Sequence, residues 1–291
     1  MAQFQLQNRS ITVKINSFGA ELCSVYSDTL GIEYIWQADK NVWARHAPNL
    51  FPIVGKLKDG TYQYNNSLYS LPQHGFARDN EFNCVKQTDT DLILELKDSE
   101  ELKSNFPFNF IFQVAYHLSD NELSIQYRVI NSDIKDVLFS VGAHPAFNCP
   151  LFPNEMFEDY ELVFSHKNEL VINTLVDGLI TDNTKTIHLS NNTLKVNKDL
   201  FLNDALVFKH NQFNEVILRS SKSQHGVKLT ATDWPYYGIW SKKDSDKFVC
   251  LEPWYGIADS LTSNGLLEEK EGIIKLEPDQ KFNAEYCIQF F

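Results

Sequence analysis

The sequence predicts an all-β fold: two large antiparallel sheets packed face to face, with few short helices. Three observations predict it. Apolar and polar residues alternate with a period of two along many segments. Phe (21) and Tyr (12) are abundant while Met (2) is scarce, which favours sheet over helix. Asn, Asp and Gly punctuate the alternating runs, and no repeat or Pro/Ser-rich linker divides the chain. The 291 residues, 43% of them hydrophobic, are read as one domain spanning 1–291.

The elements follow in order. Ile11, Val13 and Ile15 share one face of a first strand, with Thr12 and Lys14 on the other. Asn41–His46 has the composition of a short helical turn. Asp59-Gly60 opens a hairpin of residues 61–64 and 67–71, joined by Asn65-Asn66, a pair that tolerates the positive φ of a tight turn. Leu92, Leu94 and Leu96 mark the next strand. Asp98–Asn105 reads as a short helix capped by Ser99 and stopped ahead of Pro107. Phe110, Phe112, Val114, Tyr116 and Leu118 alternate, then Leu123, Ile125, Tyr127 and Val129, with Ser119-Asp120-Asn121 as the turn between them. Val137, Phe139 and Val141 form a strand that Pro145 ends. Near the C-terminus come residues 227–231, 237–240, 248–251 and finally Phe282 to Phe290.

Composition excludes several functions. A net charge of −12 argues against nucleic acid or an anionic membrane as a partner. No run approaches the apolar length of a membrane span, and the first nine residues lack a signal-peptide core, so the cytoplasm is expected. Five scattered cysteines without a CxxC fit a reducing compartment. HExxH, clustered Cys/His, EF-hand, P-loop, GxGxxG and GxSxG patterns are absent, so no metal and no cofactor is expected. One stretch breaks the acidic trend. Lys40, Arg45, Lys56, Lys58 and Arg78 face a single acid, Asp59, across residues 40–78. This is either a solvated surface or a cationic rim for an anionic ligand.

Chemistry concentrates at three Gly- or Pro-marked places. Glu252 lies after an apolar strand end and before a Pro-Trp corner, where burial raises a carboxyl pKa towards neutrality. Its bland alternative is a salt bridge to Arg78 or Arg45. His144, in the Gly142–Asn148 run, is a strand-end histidine in a small-residue setting, or else a core histidine. His74, in Pro72–Arg78, sits beside a glycine that lets a ligand approach the ring, or else is a loop histidine satisfied by backbone. Asp204 and Asp233 read first as turn residues. Trp36, Trp240 and Trp254 are candidates to stack on a sugar, or are ordinary core aromatics. One carboxylate and two histidines point to an acid/base enzyme.

Four stretches in order carry a resemblance over the whole chain: Trp43–Gly55 with its Leu-Phe-Pro-Ile-Val-Gly ending, the Pro-Gln-His-Gly-Phe-Ala-Arg run at 72–78, Gly142–Phe147, and Leu251–Trp254. On these the chain resembles the galactose mutarotase (aldose 1-epimerase) family, most closely its LacX-type branch. The resemblance implies a galactose mutarotase-like β-supersandwich with a sugar groove on one sheet. It implies Glu252 as catalytic base, His144 as general acid, His74 near the ring oxygen and Asp204 on the sugar hydroxyls. The 72–78 run is also similar to that of the hexose-6-phosphate epimerases, which makes Arg45 and Arg78 candidate substrate-binding residues for a phosphate.

The implied activity is anomer interconversion of an aldohexose by ring opening, with Glu252 and His144 on opposite sides of the C1–O5 unit. The alternatives are a hexose-6-phosphate 1-epimerase and, from another class, a non-catalytic carbohydrate-binding protein. A glycoside hydrolase would need a second carboxylate and would leave the histidines without a role. The partner is a small-molecule sugar or sugar phosphate, and the chain is expected to be a monomer or homodimer. If a phosphate is bound, Arg45, Lys56 and Arg78 should converge.

Overall fold

A computed structural model describes residues 2–291. Half of the chain is strand, and no helix among the described residues reaches seven residues. No helix of the described residues is long and apolar enough to cross a membrane. Two large antiparallel sheets dominate. The first has nine strands, in the order Thr193–Lys195, Tyr160–Phe164, Glu215–Ser220, Gly226–Thr230, Lys281–Phe290, Glu122–Asn131, Phe110–Ser119, Asp91–Lys97, Asn83–Gln87. The second has eight. Its path runs Leu179–His188, Glu169–Val176, Leu206–Lys209, Tyr236–Trp240, Phe248–Tyr255, Val141–Ala143, Asn49–Leu50, with Ala146–Asn148 also paired to Phe248–Tyr255. A four-stranded sheet from residues 3–33 packs alongside.

The alternation puts one face of each large sheet into a shared core. Phe110, Phe112, Val114, Tyr116 and Leu118 of the first sheet are buried there with Ile239, Val249 and Leu251 of the second. Phe51 stacks on Phe112 at 4.6 Å between ring centroids. The opposite face of the second sheet carries Phe248, Cys250, Glu252 and Trp254 from one strand and Gly142 and Leu50 from its neighbours, and this face bears the site. A buried polar knot ties the layers together. Asn49 donates to the carbonyls of Gly19 (2.9 Å) and Ala20 (2.8 Å) and accepts from the Tyr127 hydroxyl (2.7 Å). Every polar atom of that amide core is thereby paired.

Most expected strands are present within a residue or two. Three local expectations change. The helix is the single turn Glu100–Lys103, with Ser99 accepting from the Leu102 N–H at 3.2 Å; Pro107 left room for no more. Asn41–His46 contains no helix, only a tight turn whose Val42 and Trp43 N–H groups bond the Asp39 carbonyl. The strand expected at 137–141 is divided. Val137–Phe139 pairs with Ile274–Leu276, the Ser140 N–H donates to the Pro52 carbonyl, and Val141–Ala143 joins the second sheet. Pro145 interrupts the line rather than ending it, because Ala146–Asn148 resumes pairing with Phe248–Tyr255.

Candidate functional site

Glu252 lies inside a strand, Phe248–Tyr255, and not beyond a strand end as the sequence suggested. Pro253 is tolerated there for a geometric reason. The Leu251 N–H donates to the Pro145 carbonyl (3.2 Å), so position 253, two residues on, points the same way. On that flank the neighbouring strand is broken at His144-Pro145, so the missing N–H of Pro253 costs no ladder bond. The gap is where His144 emerges beside Glu252. His144 Nε2 lies 3.2 Å from Glu252 Oε2, and both side chains are buried.

Glycines shape the floor. Gly142 and Gly238 lie on the strands flanking Phe248–Tyr255, opposite Trp254 and Glu252 respectively. A Cβ at Gly142 would stand 2.7 Å from Trp254 Cδ1, and one at Gly238 would stand 2.4 Å from Trp254 Cζ2. Two missing side chains therefore let the indole lie flat across the sheet. On the other side, Trp43 stacks on His144 (5.1 Å, 25°) and Trp240 meets the same ring edge-on (5.7 Å, 78°). These rings wall a cavity of about 450 Å³ that also exposes Gln73, His74, Arg78, Asp204 and Lys242.

His74 is held by its backbone in a left-handed conformation (φ 67°), with its N–H on the Gly55 carbonyl at 2.8 Å. The Gly55 N–H donates back to His74 Nδ1 (3.1 Å). In the neutral ring that bond places the proton on Nε2; the Gln73 amide nitrogen, 3.3 Å away, is also a donor, so the two bond only with the amide turned to present its oxygen. Burial drives His74 well below the usual histidine range, and the neighbouring His144, Arg78 and Arg45 add to the effect. His144 is likewise lowered by burial, with Arg78 and Arg45 contributing. Glu252 moves the other way. Burial raises it well above the carboxylate range and the charge of Asp204 pushes further, while the indole N–H of Trp254 favours the ionised form. Burial thus favours the proton on the carboxyl over the imidazole within the His144–Glu252 pair.

The sequence-derived residues separate into two groups. Glu252, His144, His74, Arg78 and Asp204 line one cavity. Asp204 is exposed at its rim, and its Oδ1 accepts from the Ala205 N–H (2.8 Å). Arg45 does not line the cavity. It binds Asp79 (2.9 Å), which also approaches Arg78 Nε (3.7 Å). Neither arginine bridges to Glu252, whose ionic partner is His144. Lys56 goes elsewhere, to the Asp177 carbonyl at 3.0 Å. The convergence of Arg45, Lys56 and Arg78 therefore does not occur, because sequence proximity of the cations is undone by the chain's path. Trp36 also lies apart, stacked on Phe248 with its N–H on the Trp43 carbonyl (2.8 Å). Glu252 and His144, which come from distant segments, are in direct contact. Trp43, Gln73, Lys242 and Cys250 were not singled out in the sequence. Trp43 and Gln73 fall within the resembling stretches; the other two carry no motif.

A buried His–carboxyl pair thus lies in an indole-walled cavity on the outer face of a large antiparallel sheet. The chain belongs to the aldose 1-epimerase family, whose model matches residues 2–266. It is 32% identical over 293 residues to protein LacX, chromosomal, of Lactococcus lactis subsp. lactis, covering 98% of each chain. The galactose mutarotase related enzyme from Lactobacillus acidophilus superposes with a TM-score of 0.95 at 37% identity, over 100% of this chain and 97% of that one. A galactose mutarotase-like protein from Lactobacillus casei gives 0.91 at 28% identity, over 100% of both chains. The family makes this chain a sugar epimerase of the isomerase type, with a small-molecule sugar as its partner.

Proposed function

We propose that the protein interconverts the α and β anomers of a free aldohexose. The observation that carries this is the 3.2 Å contact of His144 and Glu252 on the floor of a cavity walled by Trp43, Trp240 and Trp254. The Glu252 carboxylate takes the anomeric hydroxyl proton. Protonated His144 gives its proton to the ring oxygen, and the ring opens to the aldehyde. The C1–C2 bond rotates, the roles reverse, and the ring closes on the other face. Burial favours the shared proton on Glu252 over His144. Sugar hydroxyls donating to Glu252 favour its ionised form, and the proton then crosses to His144 within the pair. His74, through Nε2–H, and Asp204 and Arg78 orient the sugar. A positioned acid and a positioned base each contribute about 10²–10⁴-fold.

A phosphate finds less support. Asp79 offsets Arg45 and Arg78, and Lys56 is occupied elsewhere. Polarimetry on freshly dissolved α-D-galactose, α-D-glucose and glucose 6-phosphate tests the reading. Acceleration on a free hexose, lost in Glu252→Gln, is the expected result. Acceleration confined to the phosphate would overturn the free-sugar assignment. Sugar binding with no acceleration on any of them would leave a carbohydrate-binding protein.

A further inference from the structure

The same strand face that carries Glu252 carries Cys250 two residues earlier, and its thiol is wholly buried. One ligand atom each from His144, Cys250 and Glu252 lie within 4.8 Å of one another. His144 and Glu252 are already in contact at 3.2 Å. His144 Nδ1 is buried without a hydrogen-bond partner. A sugar epimerisation has no use for the thiol, and no part of the mechanism above touches it.

We propose that His144, Cys250 and Glu252 form a binding site for a borderline-soft divalent cation, Zn²⁺ foremost, whose occupancy shuts the sugar site. One nitrogen, one sulfur and one oxygen donor are the set that Zn²⁺ accepts and that Mg²⁺ and Ca²⁺ do not. Tetrahedral Zn²⁺ at its usual bond lengths separates its ligand atoms by about 3.3–3.8 Å. Binding would draw the three atoms in from the 4.8 Å that now contains them. Charge also balances. A thiolate and a carboxylate neutralise the dication, the imidazole is neutral, and the displaced protons leave to solvent. A neutral complex is the form a buried site tolerates. A fourth ligand would be water. The shutting of the sugar site rests on the function proposed above, because the metal would occupy the lone pairs of both proton-transfer groups.

The test is optical as well as kinetic, which keeps the two readings apart. Cys84 and Cys287, the two cysteines with exposed or partly exposed side chains, are first replaced by Ser. Titration of that protein with Co²⁺ should give one equivalent bound with a thiolate-to-cobalt charge-transfer band, and Zn²⁺ should displace it. Cys250→Ser and Cys250→Ala should each abolish the band and weaken Zn²⁺ binding by more than about 100-fold, since loss of a mere outer-shell partner costs 10–100-fold. Near-ultraviolet circular dichroism confirms that each variant is folded, and the two replacements differ in polarity, so one folding failure does not end the test. Zn²⁺ should slow anomer exchange, reversibly by chelator, relative to each protein's own metal-free rate, and Cys250→Ala should escape. No band, or a band that survives both Cys250 variants, overturns the site. A band with unaltered exchange under Zn²⁺ overturns the shutter. A metal-free wild-type protein without exchange activity would instead count against the proposed function and leave the optical result standing.

Discussion

Glu252 and His144 are pushed in opposite directions by the same burial, and each gives a measurable consequence. Asp204 raises Glu252 by its charge. Asp204→Asn should lower the Glu252 pKa and move the acid limb of the kcat/KM profile to lower pH, with KM raised because a hydroxyl partner is lost; an unmoved limb would separate Asp204 from the base. His74 gives a stability prediction. Unfolded, it binds a proton as pH falls through about 6.5. Folded, burial first, then His144, Arg78 and Arg45, keep it neutral to well below that. Falling pH therefore favours the unfolded chain from about pH 7 down to 5. Asn at position 74 tolerates the left-handed backbone and does not titrate. Urea denaturation of His74→Asn should show a shallower loss of stability over that window than the wild type. The types of the site residues were legible because Gly and Pro marked their surroundings. Their pairings were not: nothing in the sequence says that Glu252 meets His144 rather than Arg45 or Arg78.

At the level of strands and loops, alternation revealed where sheets run but not where they break. A Pro after Glu252 reads as a strand end, since prolines are rare in central strands. Here the neighbouring strand supplies the vacancy, and that needs tertiary pairing to see. Small residues reveal their purpose only in register. Gly238→Ala forces a methyl into the Trp254 ring, so it should destabilise the fold by about 1–3 kcal/mol and raise KM by tilting the indole. Denaturation and sugar kinetics on one variant read both effects. The loop behind the cavity rests on a buried ion pair. Lys270 donates to Asp259 (2.8 Å) and to the Ile257 carbonyl (2.6 Å), and Asp259 accepts from the Lys58 N–H (2.9 Å). Both side chains are nearly inaccessible. Lys270→Met leaves a buried carboxylate unpaired and should cost about 3–5 kcal/mol in chemical denaturation. It should also weaken sugar binding, because Ile257 and Ala258 line the cavity.

For the whole molecule, the layers were legible and their order was not. The closing strand was visible in Phe282, Ala284, Tyr286, Ile288 and Phe290, yet only pairing shows that it lies in the middle of the nine-stranded sheet, between Glu122–Asn131 and Gly226–Thr230. The family match stops at residue 266, before this strand. A chain truncated after Leu276 should therefore lack a cooperative thermal transition, although every site residue is retained. A truncated chain that melts sharply would show the strand to be dispensable. The cationic stretch at 40–78 was the clearest case of sequence misleading, since its members end on Asp79, Asp177 and Ser263 instead of one ligand. The interruption at His144-Pro145 has a last, mechanical consequence. The strand bearing Glu252 is gripped along five residues by Tyr236–Trp240 on one flank, but on the other only by two patches with a gap between them. On that flank the strand is bound like the spine of a partly unsewn book. The amides of His144 and Leu251, at the unsewn stretch, should therefore exchange faster than those of the flanking Val141–Ala143 and Ala146–Asn148, and should slow most when a sugar closes the gap.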